Sequence, residues 1–510
     1  MPADAFQSSA HPWLDGVRRP RYRRASNRVE ARWGAARTLR GTGGAEVGCD
    51  GMRSEGQRAT PVWQRGAVRV PRWRDWDAGL ALNTCSSHCR GGIVGPIVLF
   101  DKSFLQSLNL DESVWFDHFY YPVICPLFFV ETLADLEKAV QEGRTPEQEV
   151  GSIAGKTPEV HGTPCAHHGG LCIGDLMGHP VPMDGRIPVA GGRLVKVDGR
   201  KGAVCEESPE AQAFSRWQRG SYLEVERQFA QVWRSSLRAL DLLATADGIR
   251  AIGVDAKTCR SLQDAKRMAR AVVNAKDSPI DCMRLASLFL NVPRQFEQPI
   301  VKRWRGAGCP PLATHSPFAA HVLTVEVFFQ IALRASLISA DRPSNRVDIA
   351  YLFYLPFCMA FVSSDRLHGR CAPHFLRPDQ EFVLGPDLKA DLKRLNDHYS
   401  QLPESERETG ITRFAPQPPE TGEYLVSRLW DRYLPSWRDM SPGLVAGAPG
   451  QDREILERHA RLSGAPTLSP EEVDFGPDEV EMISMQRPPV RRQKGSWWQV
   501  PKNLDVSGTT

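Results

Sequence analysis

The stretch Val347–His368, VDIAYLFYLPFCMAFVSSDRLH, decides how this chain is read. It opens with an acid, Asp348, on an apolar segment of helical character. Pro356 interrupts that segment, because a proline lacks the N–H that a helix interior requires. The run Phe357–Val362 then predicts a short buried strand, with Asp365 just past its end. A carboxylate at the C-terminal end of a strand lies where open α/β sheets bind ligands. A second stretch has the same form: Pro96–Phe100, PIVLF, is apolar and of strand length, and Asp101 terminates it. Two strand-end acids far apart in sequence predict one acidic, metal-holding rim.

Composition sets the limits around this pattern. The 510 residues allow two to four domains, or one domain with large insertions. Hydrophobic residues make up 41% and charged residues 24%, an ordinary balance for a globular protein. The net charge of +4 names no partner, but its distribution is uneven. Residues 1–92 hold 16 Arg, no Lys and 8 acids, a local balance of +8 that leaves −4 for the rest. That segment lacks any sustained period of 2 or 3.6 and is rich in Gly, Ala and Trp. It reads as a disordered or spurious Arg-rich extension, with Met52 or a residue near Val94 as alternative starts; a nucleic-acid-binding arm is the rival reading. The twelve cysteines are dispersed without CxxC spacing, which predicts reduced thiols and a cytoplasmic setting. No apolar leader opens the chain, and the longest apolar stretch, Val322–Ile338, carries Glu326 and Arg334; no membrane partner is expected.

From Gly95 the pattern becomes that of a folded domain. A short helix is predicted over Lys102–Leu108 and another over Asp111–Phe119. Val123–Val140 begins as a strand and continues as an amphipathic helix, with Glu131 off its apolar stripe. Residues 143–208 are rich in Gly, Pro and His. Within them His161, Cys165, His167, His168, Cys172 and His179 cluster without a recognisable zinc spacing, and ordinary loop chemistry is the leading reading; a zinc site, and a loop over the acidic site with a histidine or Arg186 touching substrate, are the rivals. Residues 209–340 predict helices over Ala211–Leu243, Ser261–Asn274, Ile280–Val292 and Pro317–Ile338. Glu381–Leu384 predicts a further strand, followed by a helix over Leu388–Tyr399 with Asp387 as its N-cap. Tyr424–Tyr433 reads as a docked helix. Beyond about 440 the composition predicts a largely disordered tail, in which Trp497 and Trp498 beside Lys494 and Arg491–Arg492 are a candidate short interaction motif.

Four carboxylates stand out by context: Asp101, Glu131, Asp348 and Asp365. Singly each is an ordinary acid at a strand end or helix start, where aspartate caps helices. Gathered in a small volume they repel, unless a cation compensates them. All-oxygen ligation favours a hard ion, Mg²⁺ or Mn²⁺, and such an ion activates water for in-line displacement at phosphorus.

The order of these acids resembles that of the PIN-like nuclease family. The resemblance rests on FDKS (Asp101, Ser103), FVETLADLE (Glu131) and DIAYLFYLPFCMAFVSSD (Asp348, Asp365). It covers about 95–140 and 340–400. It implies a Rossmann-like α/β parallel-sheet sandwich over 93–400 with a large, mostly helical insertion at 143–340, a C-terminal extension over 401–510 and disordered termini. The implied activity is metal-dependent phosphodiester hydrolysis, with RNA favoured over DNA, and the four acids are the implied catalytic metal ligands. Ser103, Ser364 and Lys102 are candidate substrate or phosphate contacts. The alternative is a catalytically inactive PIN-like scaffold that binds nucleic acid or a regulatory protein. Haloacid-dehalogenase chemistry is excluded because position 103 is serine rather than aspartate. No GxxxxGK[ST], GxGxxG or GxSxG motif follows a strand.

Overall fold

The computed structural model describes residues 95–138, 143–188, 193–197, 200–204, 209–247, 256–275, 279–420, 423–439, 461, 464–469, 472, 493–499 and 501–503. The Arg-rich segment 1–92 and most of the stretch beyond 440 lie outside them. The chain folds as an α/β protein around a five-stranded sheet, with every pairing parallel. In chain order its strands are β1 (Ile97–Phe100), β2 (Tyr121–Ile124) and β3 (Thr163–Pro164). A separate antiparallel hairpin follows, β4 (Arg193–Val197) with β5 (Arg200–Val204). The sheet then resumes with β6 (Ala360–Ser363) and β7 (Glu381–Leu384).

The sheet order is β3-β2-β1-β6-β7. The chain runs outward in one direction through β3, then returns across β1 and runs outward in the other. Right-handed crossovers place the β1–β2 and β6–β7 connections on opposite faces, so the central strands are covered on both sides. IVLF and AFVS are fully buried, as unbroken apolar strands of a parallel sheet must be.

Several sequence expectations are corrected here. The strand expected over Phe357–Val362 begins at Ala360, because Tyr351–Phe357 forms a 3₁₀ run that Pro356 tolerates. The long helix expected over Ala211–Leu243 is two helices, Pro209–Gln218 and Glu224–Arg238, and the start of a third, Leu242–Asp247, with the first break where Gly220 takes φ 69°. Asp387 is not an N-cap: the helix starts two residues earlier, at Gly385, with Leu384 in the cap position. The edge strand β3 comes from the region expected to be insertion, so the sheet is not confined to 95–140 and 340–400.

The helices close the core with aromatic and capping contacts. Asn109 and Glu112 form a capping box for Leu110–Phe119. Trp115 from that helix stacks on Tyr399 of Gly385–Tyr399 at 4.6 Å. Asp391 accepts from the N–H groups of Leu425 and Val426, each at 2.9 Å, and so docks the helix Leu425–Tyr433. Pro317–Arg334 is buried along nearly its whole length; its one internal acid, Glu326, is paired with Arg346. Among the described residues no helix is long and apolar enough to cross a membrane.

The end of the described chain is packed rather than loose, against expectation. Gln493–Lys494 pairs with Trp497–Trp498, and Trp497 meets Trp115 at 4.8 Å. Asn396 Oδ1 accepts from both indoles, at 3.2 Å from Trp115 and 2.9 Å from Trp497. Lys494 is buried and donates to the Thr157 carbonyl at 3.0 Å. Beside it the buried Asp117 accepts three backbone N–H bonds, from Glu159 (2.7 Å), Val160 (2.8 Å) and His161 (2.9 Å), which fixes the entry to β3.

Two predictions follow from this packing. Burial alone raises the Asp117 pKa, but Lys494, His161 and the donated N–H groups outweigh it and hold the carboxyl below its usual range. The stabilisation is therefore present above the unfolded-state pKa and lost as pH falls through the folded value. Asp117→Asn is expected to cost about 3 kcal/mol at pH 7 and to flatten the acid limb of stability; urea melts from pH 7 to pH 3 check both. Trp497→Ala is expected to cost about 3–5 kcal/mol, whereas an undocked terminus would leave the urea midpoint unchanged.

Candidate active site

The two strand-end aspartates lie side by side. β1 and β6 are parallel neighbours in the register Phe100↔Val362, so Asp101 and Asp365 emerge at the same edge of the sheet. This is the switch point of the topology, where the chain's outward direction reverses and where open α/β sheets bind ligands. Both residues start helices. Asp101 Oδ1 accepts from the Phe104 N–H at 3.0 Å and Asp365 Oδ1 from the Leu367 N–H at 2.6 Å. Each cap uses one oxygen. The other oxygen of Asp101 accepts from Ser103 Oγ at 2.6 Å.

Glu131 and Asp348 reach the same edge from helices. Glu131, in Pro126–Ala134, accepts a hydrogen bond from the Tyr351 hydroxyl. Burial, with Asp101 adding repulsion, raises its pKa although Lys102 and Tyr351 oppose this. Asp348, in Asn345–Ala350, has a carboxylate that accepts no hydrogen bond among the described residues. Burial first, then Glu131 and Asp365, push its pKa up to about 7, even with His368 pulling it down. All four acids thus interact at one rim.

A histidine stands among them. His368 is buried; its Nε2 lies 2.7 Å from the Asp348 carbonyl oxygen. Its Nδ1 lies 2.8 Å from Ser363 Oγ and 3.5 Å from Asp101 Oδ2. Nε2 donates to the carbonyl, and Nδ1 lies between the Ser363 hydroxyl and the Asp101 carboxylate, the latter favouring a protonated, charged ring. Burial opposes that charge, but Asp101 and Asp348 raise the pKa to about 9. In return His368 holds Asp101 below the usual carboxylate range against its burial. Among the described residues, no three His, Cys, Asp or Glu side chains stand close enough together to hold a metal ion as placed.

Sequence reasoning missed His368, Tyr351, Ser363 and Asp135. The signal for two of them was spacing: Tyr351 follows Asp348 by three residues and His368 follows Asp365 by three, so each pair shares one face of a turn. Two expected substrate contacts have partners within the protein. Lys102 donates to Asp135 Oδ2 at 2.8 Å and to the Glu131 carbonyl at 3.3 Å. Asp135 is buried and also takes Arg234 at 2.7 Å, which ties the helix Glu224–Arg238 to the site's outer wall. Ser364 is exposed and its Oγ lies only 2.1 Å from where a Cβ at position 385 would stand, so it packs against the start of the Gly385 helix.

The histidine and cysteine cluster is dispersed. His161 binds the Asp117 carbonyl at 2.6 Å, His167 caps the helix His168–Met177, and His168 packs against Phe353 at 4.8 Å. Cys165 and Cys172 are buried thiols with pKa values pushed up by burial. The loop carrying Arg186 does not cover the acids. Arg186 binds Asp184 at 2.9 Å, and Gly185 donates to Pro356, which precedes β6 at the opposite end of the sheet. Comparison with protein-family models, with curated proteins and with solved structures finds no match.

The raised pKa of Asp348 has a definite sign. Between the unfolded value and about 7 the folded protein binds the extra proton, so stability falls as pH rises through that window. Asp348→Asn is expected to melt above wild type at pH 8 and to match it near pH 4. A variant less stable than wild type at pH 8 would show that the carboxylate is not under repulsive load.

Proposed function

We propose that this chain is a PIN-like, metal-dependent nuclease acting on RNA in preference to DNA. The observation that carries the reading is the placement of Asp101 and Asp365 just past the C-terminal ends of adjacent parallel strands at the switch point, with Glu131 and Asp348 within electrostatic reach of them. The donor set fits Mg²⁺ or Mn²⁺ in kind, because all four ligands offer carboxylate oxygen. The unbonded, repelled carboxylate of Asp348 also fits, since a cation would relieve the load on it. When bound, such an ion supplies charge neutralisation at a phosphodiester and lowers the pKa of an attacking water.

The chain's own residues provide the preorganisation. Ser103 and the Phe104 N–H fix the Asp101 carboxylate, Tyr351 fixes Glu131, and the Leu367 N–H fixes Asp365. Asp348 is left free to move toward a ligand. Held in this way, three acids lose little conformational entropy when charge arrives between them. Lys102, bound to the Glu131 carbonyl, offsets part of the negative field from behind.

A second reading is favoured by His368. Its imidazolium already compensates Asp101 and Asp348, which suits a catalytically inactive scaffold of the same fold that binds nucleic acid or a regulatory protein. Cleavage of labelled single-stranded RNA and DNA separates the two. With Mn²⁺ or Mg²⁺ the nuclease reading expects cleavage that EDTA abolishes and that falls at least about 100-fold in Asp101→Asn or Asp365→Asn. Folded protein with no cleavage and no Mn²⁺ binding by calorimetry would establish the scaffold instead.

A further inference from the structure

A basic cavity lies away from the acidic rim, walled by the helices Leu262–Val273 and Pro317–Arg334 and by Phe375. Its volume is about 220 Å³, and Lys266, Arg270, Asn274, His321, Thr324 and Phe375 line it. Lys266 and Arg270 are one helical turn apart and face the same space. Lys266 is half-buried; it donates to the His374 carbonyl and lies 5.3 Å from the Phe375 ring centroid. The Arg270 guanidinium has no carboxylate or carbonyl partner among the described residues.

The surrounding charges make this uneven. The nearby acids are already engaged: Asp264 with Arg267 at 2.6 Å and Asp379 with Arg377 at 3.1 Å. Burial lowers the Lys266 pKa, and Arg270 lowers it further, so the two cations work against each other. The same positive field reaches His321, whose ring is buried and bound to the Leu352 carbonyl at 2.9 Å. Two like charges facing one concave space, Lys266 half-buried and Arg270 exposed, repel each other, and an anion between them would cancel that repulsion. Of the remaining polar lining, Asn274 Nδ2 donates to the Arg270 carbonyl at 2.9 Å and keeps one N–H to give, while the Thr324 hydroxyl donates to the Ala320 carbonyl at 2.7 Å; oxygen recognition falls to the guanidinium, which matches phosphate geometry.

We infer that this cavity is a binding site for a small phosphate-bearing anion, with Arg270 and Lys266 as its charge ligands. The size sets the class. A liquid water occupies roughly 30 Å³, and drug-sized ligands fill about 300–1,000 Å³. The cavity takes a phosphate and a short group attached to it, but not a dinucleotide. The inference does not rest on the nuclease reading.

The test is calorimetric titration of the full chain with inorganic phosphate and with glycerol phosphate, against chloride at the same ionic strength. Saturable binding of at least one phosphate probe is expected, with no heat from chloride. Tighter binding of glycerol phosphate assigns a phosphate monoester, and equal affinity assigns free phosphate. Arg270→Gln removes an exposed charge and is expected to weaken binding at least tenfold with an unchanged circular dichroism spectrum; Lys266→Met is expected to do the same. Absence of saturable binding, or wild-type affinity in both variants, would overturn the site.

Discussion

The parallel pairing of β1 with β6 is the constraint on which the rest of the site depends. It sets the ends of two strands, separated by more than two hundred residues of chain, about one strand spacing apart. Each strand ends in aspartate, so pairing the strands also brings like charges together. Two unit charges 4 Å apart cost about 4 kcal/mol at an effective dielectric of 20. The fold meets that cost with His368, with hydrogen bonds from Ser103, Tyr351 and backbone N–H groups, and with the displaced Asp348 titration.

This arrangement divides the acids by role. Asp101 is low in pKa and tied at both oxygens, so it is an ionised anchor. Glu131 and Asp348 are raised and retain protons more readily. Acids whose environments push their proton affinities apart in this way are the pattern on which the proposed site rests. Strain of this kind is carried by the surrounding packing, here the aromatic layer of Phe100, Phe104, Phe116 and Phe128 beneath the strand ends.

The long middle of the chain is more than an insertion hung on a finished domain. It contributes the edge strand β3 through the Asp117 clamp, and it braces the site through the Arg234–Asp135–Lys102 chain of ion pairs. The same region builds the basic cavity against Phe375, which follows β6 by only twelve residues. Elements from 143–340 and 340–400 therefore share one packed body with the sheet.

What the sequence alone determined is the local grammar. An unbroken apolar run ending in aspartate marks the buried parallel strand in PIVLF, and the strand expected over Glu381–Leu384 has those bounds. Asp101 and Asp365 were legible because strand-end capping is a local event, written in adjacent residues. Gly220, which splits a periodic helical run, was not, because periodicity averages over one break. Tertiary structure alone decided what depends on partners distant in sequence. Lys102 faces Asp135, the histidines of 161–179 serve packing rather than metal, and Trp497 belongs to the core. It also decided that a histidine neutralises the rim, because the charge on an imidazole is set by what surrounds it in space, and no sequence window contains Asp101 and His368 together.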